Sequence, residues 1–107
     1  MKRRMEVASY DRAVAVDGLS NAIARLRNAE EVQAFLRDLC TPAELEALAD
    51  RWQVVPHLLN GEPYREIHDA TSVSVTTIGR VARCLVETDS GYQIAAKRLG
   101  LQRPRSR

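Results

Sequence analysis

The sequence is poor in the residues that most metal and redox sites require. It contains two cysteines and two histidines among 107 residues, and none of them forms a CxxC motif, an HExxH motif or a cluster with carboxylates. We therefore expect no metal site. Cys40 and Cys84 are expected to be small buried hydrophobic residues in a reducing compartment. A single disulfide or a redox switch is the alternative.

Long apolar runs are also missing. No stretch approaches the roughly 18 apolar residues that a membrane-spanning helix requires, and no apolar segment follows the basic start as it would in a signal peptide. We therefore expect a cytoplasmic protein without a membrane partner. Glycine and proline together number nine, too few for many short strands and tight turns. Because no nucleophile–base pair, phosphate loop or carboxylate pair is present, we expect neither enzymatic activity nor a cofactor.

The net charge of +2 hides an uneven distribution. Residues 1–12 carry a net +2, and residues 97–107 carry five basic residues and no acidic one. Residues 13–96 are left with a net −5. The basic ends are suited to contact with a nucleic-acid backbone, and improved solubility is the alternative interpretation.

Apolar residues recur at helical spacing and predict an all-α fold with about six helices and no strand. Residues 1–17 lack a sustained period and are expected to form a flexible arm. Residues 18–101 are expected to form the folded domain, and residues 102–107 a basic tail. After a break at Asn28, one amphipathic helix carries its apolar stripe at Val32, Phe35, Leu36 and Leu39.

The strongest helix-start signal lies at Thr41. Thr41, Pro42 and Glu44 have the pattern of a capping box, with proline at the first helical position, where its missing N–H costs nothing. Gly61 is expected to end this helix in a left-handed conformation. Pro56 interrupts the pattern, because a proline inside a helix removes a hydrogen bond and clashes with the preceding turn. The sequence therefore predicts a kink in that turn, or two helices in place of one.

The number of apolar stripes favours a homodimer. A chain with about 80 ordered residues is near the size at which the area of a single core becomes marginal. A second copy would cover the stripes that remain, and a two-fold axis would place two equivalent helices about 34 Å apart, one turn of DNA. The alternative is a monomer whose stripes cover one another. The stripes in question are Leu19, Ile23 and Leu26; Val32, Phe35 and Leu36; and Tyr92 and Leu99.

Residues 64–80 have the form of a helix-turn-helix. Ile67, Val73 and Ile78 are spaced to meet as a small core that fixes the angle between the two helices. The N-terminus of the second helix is then free to enter a DNA major groove about 12 Å wide. The candidate residues for contacts with bases and phosphates are Arg65, His68, Ser74, Val75, Thr76, Thr77, Gly79, Arg80 and Arg83.

Two residues depart from the usual helix-turn-helix pattern. Ser72 stands where glycine is usual in the turn, and His68 where a small alanine is usual in the first helix. Ser72 must adopt a costly left-handed backbone angle, or the turn is built differently. Residues 63–86 also carry a net charge of only +1, which is weak for binding that depends on phosphate neutralisation. An ordinary helix hairpin, or a protein-interaction module that has lost duplex reading, is therefore the alternative.

Five segments in the same order resemble one known family. They are residues 38–51 (DLCTPAELEALADR), 58–62 (LLNGE), 64–67 (YREI), 76–85 (TTIGRVARCL) and 91–92 (GY). Residues 19–101 resemble the tryptophan-repressor superfamily in its compact YerC/YecD-type branch. The resemblance implies an all-α, interwoven homodimer that binds double-stranded DNA and regulates transcription, as a repressor, in a bacterial cytoplasm.

The resemblance also implies an effector pocket, whose matching positions are Thr41, Arg51, Arg80, Val81 and Cys84. In tryptophan-binding members two arginines sandwich the indole, and Arg51 and Arg80 match them. Val81 stands where those members have glycine, and Cys84 where they have serine, so bulk and a weak hydrogen-bonding thiol replace what the ligand needs. We therefore expect that tryptophan is not the corepressor. Arg51 is expected to pair instead with Asp50 or Glu44 on its own helix.

Overall fold

The computed structural model describes residues 11–87 and 89–101. These residues form six α-helices and no strand, which confirms the predicted all-α class. None of the helices combines the length and apolar character that crossing a bilayer requires. The chain divides into two compact units between Leu39 and Cys40, inside the predicted domain of residues 18–101. The helices are α1 (Arg12–Ala24), α2 (Ala29–Leu39), α3 (Pro42–Leu59), α4 (Tyr64–Thr71), α5 (Val75–Leu85) and α6 (Gly91–Arg98).

In the first unit, helix α1 begins earlier than the sequence pattern suggested. Asp11 caps it, because the Asp11 carboxylate accepts a hydrogen bond from the Ala13 backbone N–H at 2.9 Å. The expected flexible arm of residues 1–17 is therefore wrong from Arg12 onward, since residues 12–17 form the first turns of α1. A cap and alanine-rich turns can start a helix without any amphipathic period. Residues 1–10 and the predicted basic tail at 102–107 lie outside the described residues.

Helix α2 begins with a reciprocal cap at the predicted break. The Asn28 side chain accepts from the Glu31 N–H at 2.9 Å, and the Glu31 carboxylate accepts from the Arg27 N–H at 2.8 Å. Its apolar stripe is only half-buried at Val32 and Phe35. No residue of α1 or α2 is buried.

In the second unit, helix α3 starts and stops where the sequence predicts. The Thr41 hydroxyl accepts from the Glu44 N–H at 3.1 Å, and the Glu44 carboxylate accepts from the Thr41 N–H at 2.8 Å. Gly61 ends the helix with a φ of +76°. Pro56 lies inside one continuous helix, so of the two predicted alternatives the division into two helices is wrong. Pro56 is only three residues from the end of α3, and its neighbour Val55 is completely buried, so core packing offsets the lost hydrogen bond.

Helices α3 to α6 enclose the core. Trp52 of α3 packs against Tyr92 of α6, with ring centroids 6.3 Å apart and planes inclined by 21°. The Gln93 amide of α6 donates to the Leu85 carbonyl at 2.6 Å, which satisfies a backbone group at the end of α5. The buried side chains of the described residues form one cluster: Val54, Val55, Leu59, Ile67, Val73, Ile78, Val81, Leu85 and Ala96.

Candidate nucleic-acid interface

Helices α4 and α5 are joined by the three residues 72–74. Ile67, Val73 and Ile78 are 0%, 4% and 0% exposed and belong to the same core cluster, as their spacing predicts. Ser72 closes α4 with a φ of +65°, so the turn keeps its left-handed backbone although it lacks glycine. Ser74 then caps α5, because its hydroxyl accepts from the Thr77 N–H at 3.1 Å. The orientation of α5 against α4 is therefore fixed by buried side chains.

Side chains of α4 hold the turn by its backbone. The Thr71 hydroxyl accepts from the Val73 N–H at 3.1 Å, and the same hydroxyl donates to the Ile67 carbonyl at 2.7 Å. The Nδ1 atom of His68 lies 2.8 Å from the Val73 carbonyl oxygen. His68 therefore contacts the turn itself, a role that the sequence did not reveal. Its departure from the usual alanine is the signal that pointed to this position.

The N-terminus of α5 presents short side chains to solvent. Val75 is 50% exposed, and Ser74 and Thr76 are also exposed. Thr77 is half-buried, and its hydroxyl accepts from the Ser74 hydroxyl at 3.1 Å. The side chains of Val75 and Thr76 are therefore more accessible than that of Thr77 to a ligand at the N-terminal end of α5.

Three exposed cations lie along the two helices, Arg65 in the first turn of α4, Arg80 in the middle of α5 and Arg83 in the last turn of α5. Arg65, Arg80 and Arg83 are exposed, and within residues 11–87 and 89–101 none of them forms an ion pair. Gly79 lies between the two helices: a methyl group built on it would be 3.8 Å from the Tyr64 ring and 3.7 Å from the Arg83 guanidinium. Gly79 therefore takes part in the contact between α4 and α5.

Comparison with known proteins gives this arrangement a family. The family described as Trp repressor protein matches residues 15–100. The chain belongs to the Trp repressor family. This match confirms the resemblance inferred from the sequence motifs. The family consists of DNA-binding regulators.

Individual Trp repressor relatives are similar over most of their length. The uncharacterized protein YerC of Bacillus subtilis (strain 168) is 39% identical over 88 residues, which is 82% of this chain and 85% of YerC. A Staphylococcus aureus protein provisionally described as a Trp repressor has a TM-score of 0.77 and 31% identity, over 96% of this chain and 100% of that one. A TrpR-like protein from Eubacterium eligens ATCC 27750 has a TM-score of 0.76 and 31% identity, over 94% and 100%.

The structure brings together only part of the effector pocket that the Trp repressor resemblance implied. Arg80 and Cys84 line a shallow groove of about 480 Å³, together with Arg83, Glu87 and Ser90. Val81 does not line this groove, because its side chain is 1% exposed and packs in the core. Val81 lies on the buried side of α5 together with Ile78 and Leu85.

The remaining predicted pocket residues have other environments. The Thr41 hydroxyl belongs to the capping box of α3. Arg51 is half-buried and forms no ion pair within the described residues, so its expected pairing with Asp50 or Glu44 is wrong. The two carboxylates have other donors: that of Glu44 accepts the Thr41 N–H, and that of Asp50 accepts the Gln53 amide at 3.2 Å.

The two cysteines are free thiols, but neither is buried. Cys40 is half-buried and Cys84 is exposed, so the expectation that both are small buried hydrophobic residues is wrong. The exposed Cys84 lines the groove beside Arg80 and Arg83. Among the described residues, no group of three or more histidine, cysteine or carboxylate side chains is placed to hold a metal ion.

Proposed function

We propose that this chain is a sequence-specific regulator of transcription, a repressor, that reads the DNA major groove with α5. The observation that carries the proposal is the capped N-terminus of α5. Its first two residues, Val75 and Thr76, are exposed, while buried side chains hold the helix in place. A valine side chain can contact a thymine methyl group, and a threonine hydroxyl can bond either a base edge or a phosphate. Arg80 and Arg83 supply charge for phosphates.

We also propose that the active form is a homodimer. Helices α1 and α2 expose apolar side chains in the single chain, among them Ile23 and Leu39 at 40% and 50% exposure. A second copy that covers these side chains would give each protomer a complete core. The two α5 helices would then read half-sites about one turn of DNA apart.

The proposed regulator does not use tryptophan as its corepressor. Cys84, a weak hydrogen-bonding partner, lines the groove beside Arg80, where tryptophan binders use serine. Arg51 and Thr41 do not line that groove. Millimolar tryptophan is therefore expected to leave both the melting temperature and the DNA affinity unchanged. A clear rise in melting temperature would contradict this part of the proposal.

Selection from genomic DNA fragments by the purified protein tests the proposed function. We expect a small set of fragments to be preferred over random DNA at about 0.1 M salt, because bound bases supply specificity beyond phosphate charge. If no fragment is preferred, the proposal is wrong and a protein-interaction module becomes the better interpretation.

Matched variants then test whether α5 is the reader. Thr76→Ala and Arg80→Ala should each weaken binding to the selected fragment roughly tenfold, with the fold intact by circular dichroism. Arg37→Ala is the control, because it removes the same charge from an exposed position on α2. If the α5 variants bind as well as the control variant does, α5 is not the reading helix.

A further inference from the structure

The turn between α4 and α5 buries a residue, Val73, whose backbone N–H and carbonyl both have side-chain partners. Val73 is 4% exposed, so water has little access to its backbone. Its N–H donates to the Thr71 hydroxyl, and its carbonyl oxygen lies 2.8 Å from the Nδ1 atom of His68. A buried carbonyl that loses its only donor carries the full cost of desolvation.

The chemistry of the carbonyl determines the state of the histidine ring. A carbonyl oxygen only accepts hydrogen bonds, so the Nδ1 atom of His68 must carry the hydrogen. In the neutral ring this is the Nδ1–H tautomer, which leaves Nε2 as an acceptor. The contact therefore specifies one tautomer of His68.

The position of the bonded carbonyl gives the contact its importance. The Val73 carbonyl belongs to the peptide group whose nitrogen is that of Ser74, the N-cap of α5. Rotating this peptide group would move the cap and the exposed residues that follow it. Immediately before Val73, Ser72 holds a φ of +65°, a conformation that is unfavourable for any residue with a Cβ atom.

We propose that His68 is a positioning residue for the DNA-reading end of α5. Its bond to the Val73 carbonyl offsets the unfavourable backbone of Ser72 and holds the peptide group that leads into the Ser74 cap. The two departures from the usual pattern then act as a pair: histidine in α4 supports a turn that has no glycine. The effect on DNA rests on the proposed function, whereas the effect on the turn does not.

The first experiment needs no DNA. Nitrogen-15 NMR of the full chain at about pH 8, where an ordinary histidine ring is neutral, distinguishes the two ring tautomers directly. We expect the Nδ1–H tautomer for His68, assigned by its loss in His68→Ala. The Nε2–H tautomer would overturn the proposal. Amide exchange at Thr77, whose N–H donates to the Ser74 hydroxyl, is expected to accelerate about tenfold in His68→Ala, and unchanged exchange would also overturn the proposal.

The second experiment compares variants on the fragment that the wild-type protein selects. His68→Asn keeps a donor, because the Asn amide nitrogen occupies the place of Nδ1, whereas His68→Leu keeps bulk without a donor. We expect His68→Ala and His68→Leu to lose about tenfold in specific affinity and His68→Asn to stay within about threefold. Random-sequence DNA should bind all three alike, because phosphate contacts do not depend on the exact aim of α5.

Adding Ser72→Gly completes the test. Glycine accepts the left-handed angle without strain, so His68→Ala should cost less affinity in the Ser72→Gly background than alone. An equal loss in both backgrounds, or an Asn variant no better than Leu, would overturn the proposal. If the wild-type protein selects no fragment, the proposed function fails, and the tautomer and amide exchange still decide whether His68 holds the turn. If His68→Ala does not fold, the Asn and Leu variants provide the same comparison.

Discussion

The two units of this chain differ in how they use their apolar residues. The unit from Cys40 onward buries the whole core cluster of the described residues, including Val54, Ile67 and Ile78 at 0% exposure. Helices α1 and α2 of the first unit bury none. Both units nevertheless have capped helices with apolar residues at helical spacing.

The difference shows that an apolar stripe on a helix needs a surface to cover it. The stripe itself does not say whether that surface belongs to the same chain or to another. In the second unit the stripes of α3, α4 and α5 cover one another. In the first unit Phe35 is only half-buried, and Val14 lies on the side of α1 opposite Leu19 and Ile23. In the proposed homodimer, a second copy covers the apolar stripes of α1 and α2 and leaves Val14 exposed.

The largest expected effect comes from the core of the second unit. Ile78→Ala should lower the free energy of unfolding by about 2–5 kcal/mol, because it removes a completely buried side chain and leaves a cavity. Val14→Ala in the first unit is the matched control and should change it by less than about 0.5 kcal/mol. Urea unfolding at fixed protein concentration measures both. A large loss of unfolding free energy for Val14→Ala would contradict the difference in burial between the two units.

A substitution in α2 tests whether the first unit meets a second copy. If the proposed dimer covers Phe35, Phe35→Ala should weaken the dimer by about 3 kcal/mol, more than a hundredfold in the dissociation constant. Gln33→Ala, at an exposed polar position of the same helix, should leave the dimer intact. Sedimentation equilibrium over a dilution series measures both. A wild-type protein that remains monomeric at all concentrations would contradict the expectation.

The two reciprocal caps allow a direct comparison of the units. Thr41→Ala removes the cap of α3, and Asn28→Ala removes the equivalent cap of α2. Each should lower the free energy of unfolding by about 1 kcal/mol if both units unfold together in a dimer. Thermal unfolding followed by circular dichroism measures the shift. An effect of Thr41→Ala without one of Asn28→Ala would place α2 outside the cooperative transition.

The smallest expected effect is a dependence on acid at the end of α3. The hydrogen bond from His57 at 2.7 Å, and then that from Asn60 at 3.1 Å, lower the pKa of Glu62 below its ordinary value. A lowered pKa in the folded state stabilises the fold above the ordinary pKa, and this stability is lost as pH falls through the lowered value. Glu62→Gln should therefore flatten the acid side of the stability curve.

The control for Glu62→Gln is Glu46→Gln, an exposed position of α3. Urea unfolding at a series of acidic pH values measures both variants. An unchanged acid dependence in Glu62→Gln would mean that the bonds to His57 and Asn60 add nothing to stability.

Signals that act within a few residues were readable in advance. The capping box at Thr41 and the left-handed stop at Gly61 both appear as predicted. The start of α1 was missed because α1 has a cap but no amphipathic period. The alternative of two helices at Pro56 was wrong, because burial around the proline, a property of the whole core, offsets its local cost.

In the candidate interface, too, some residue positions could be predicted from the sequence and others could not. The exposed first residues of α5 and the arginines of α4 and α5 could be listed from the sequence pattern. The positions of Val81 and Cys84 could not, because they depend on which side of α5 the core occupies. The pairing expected for Arg51 is not formed among the described residues, where the two nearby carboxylates accept hydrogen bonds from Thr41 and Gln53.

By itself, the sequence determined the helix class, most helix ends and the family, because caps, glycine stops and ordered motifs are properties of neighbouring residues. Only the tertiary structure decided which stripes are covered within one chain and which stay partly exposed. It alone also brought the His68 ring to the Val73 carbonyl. Burial and hydrogen bonds across a turn depend on the packing of several helices at once, and no single stretch of sequence contains that information.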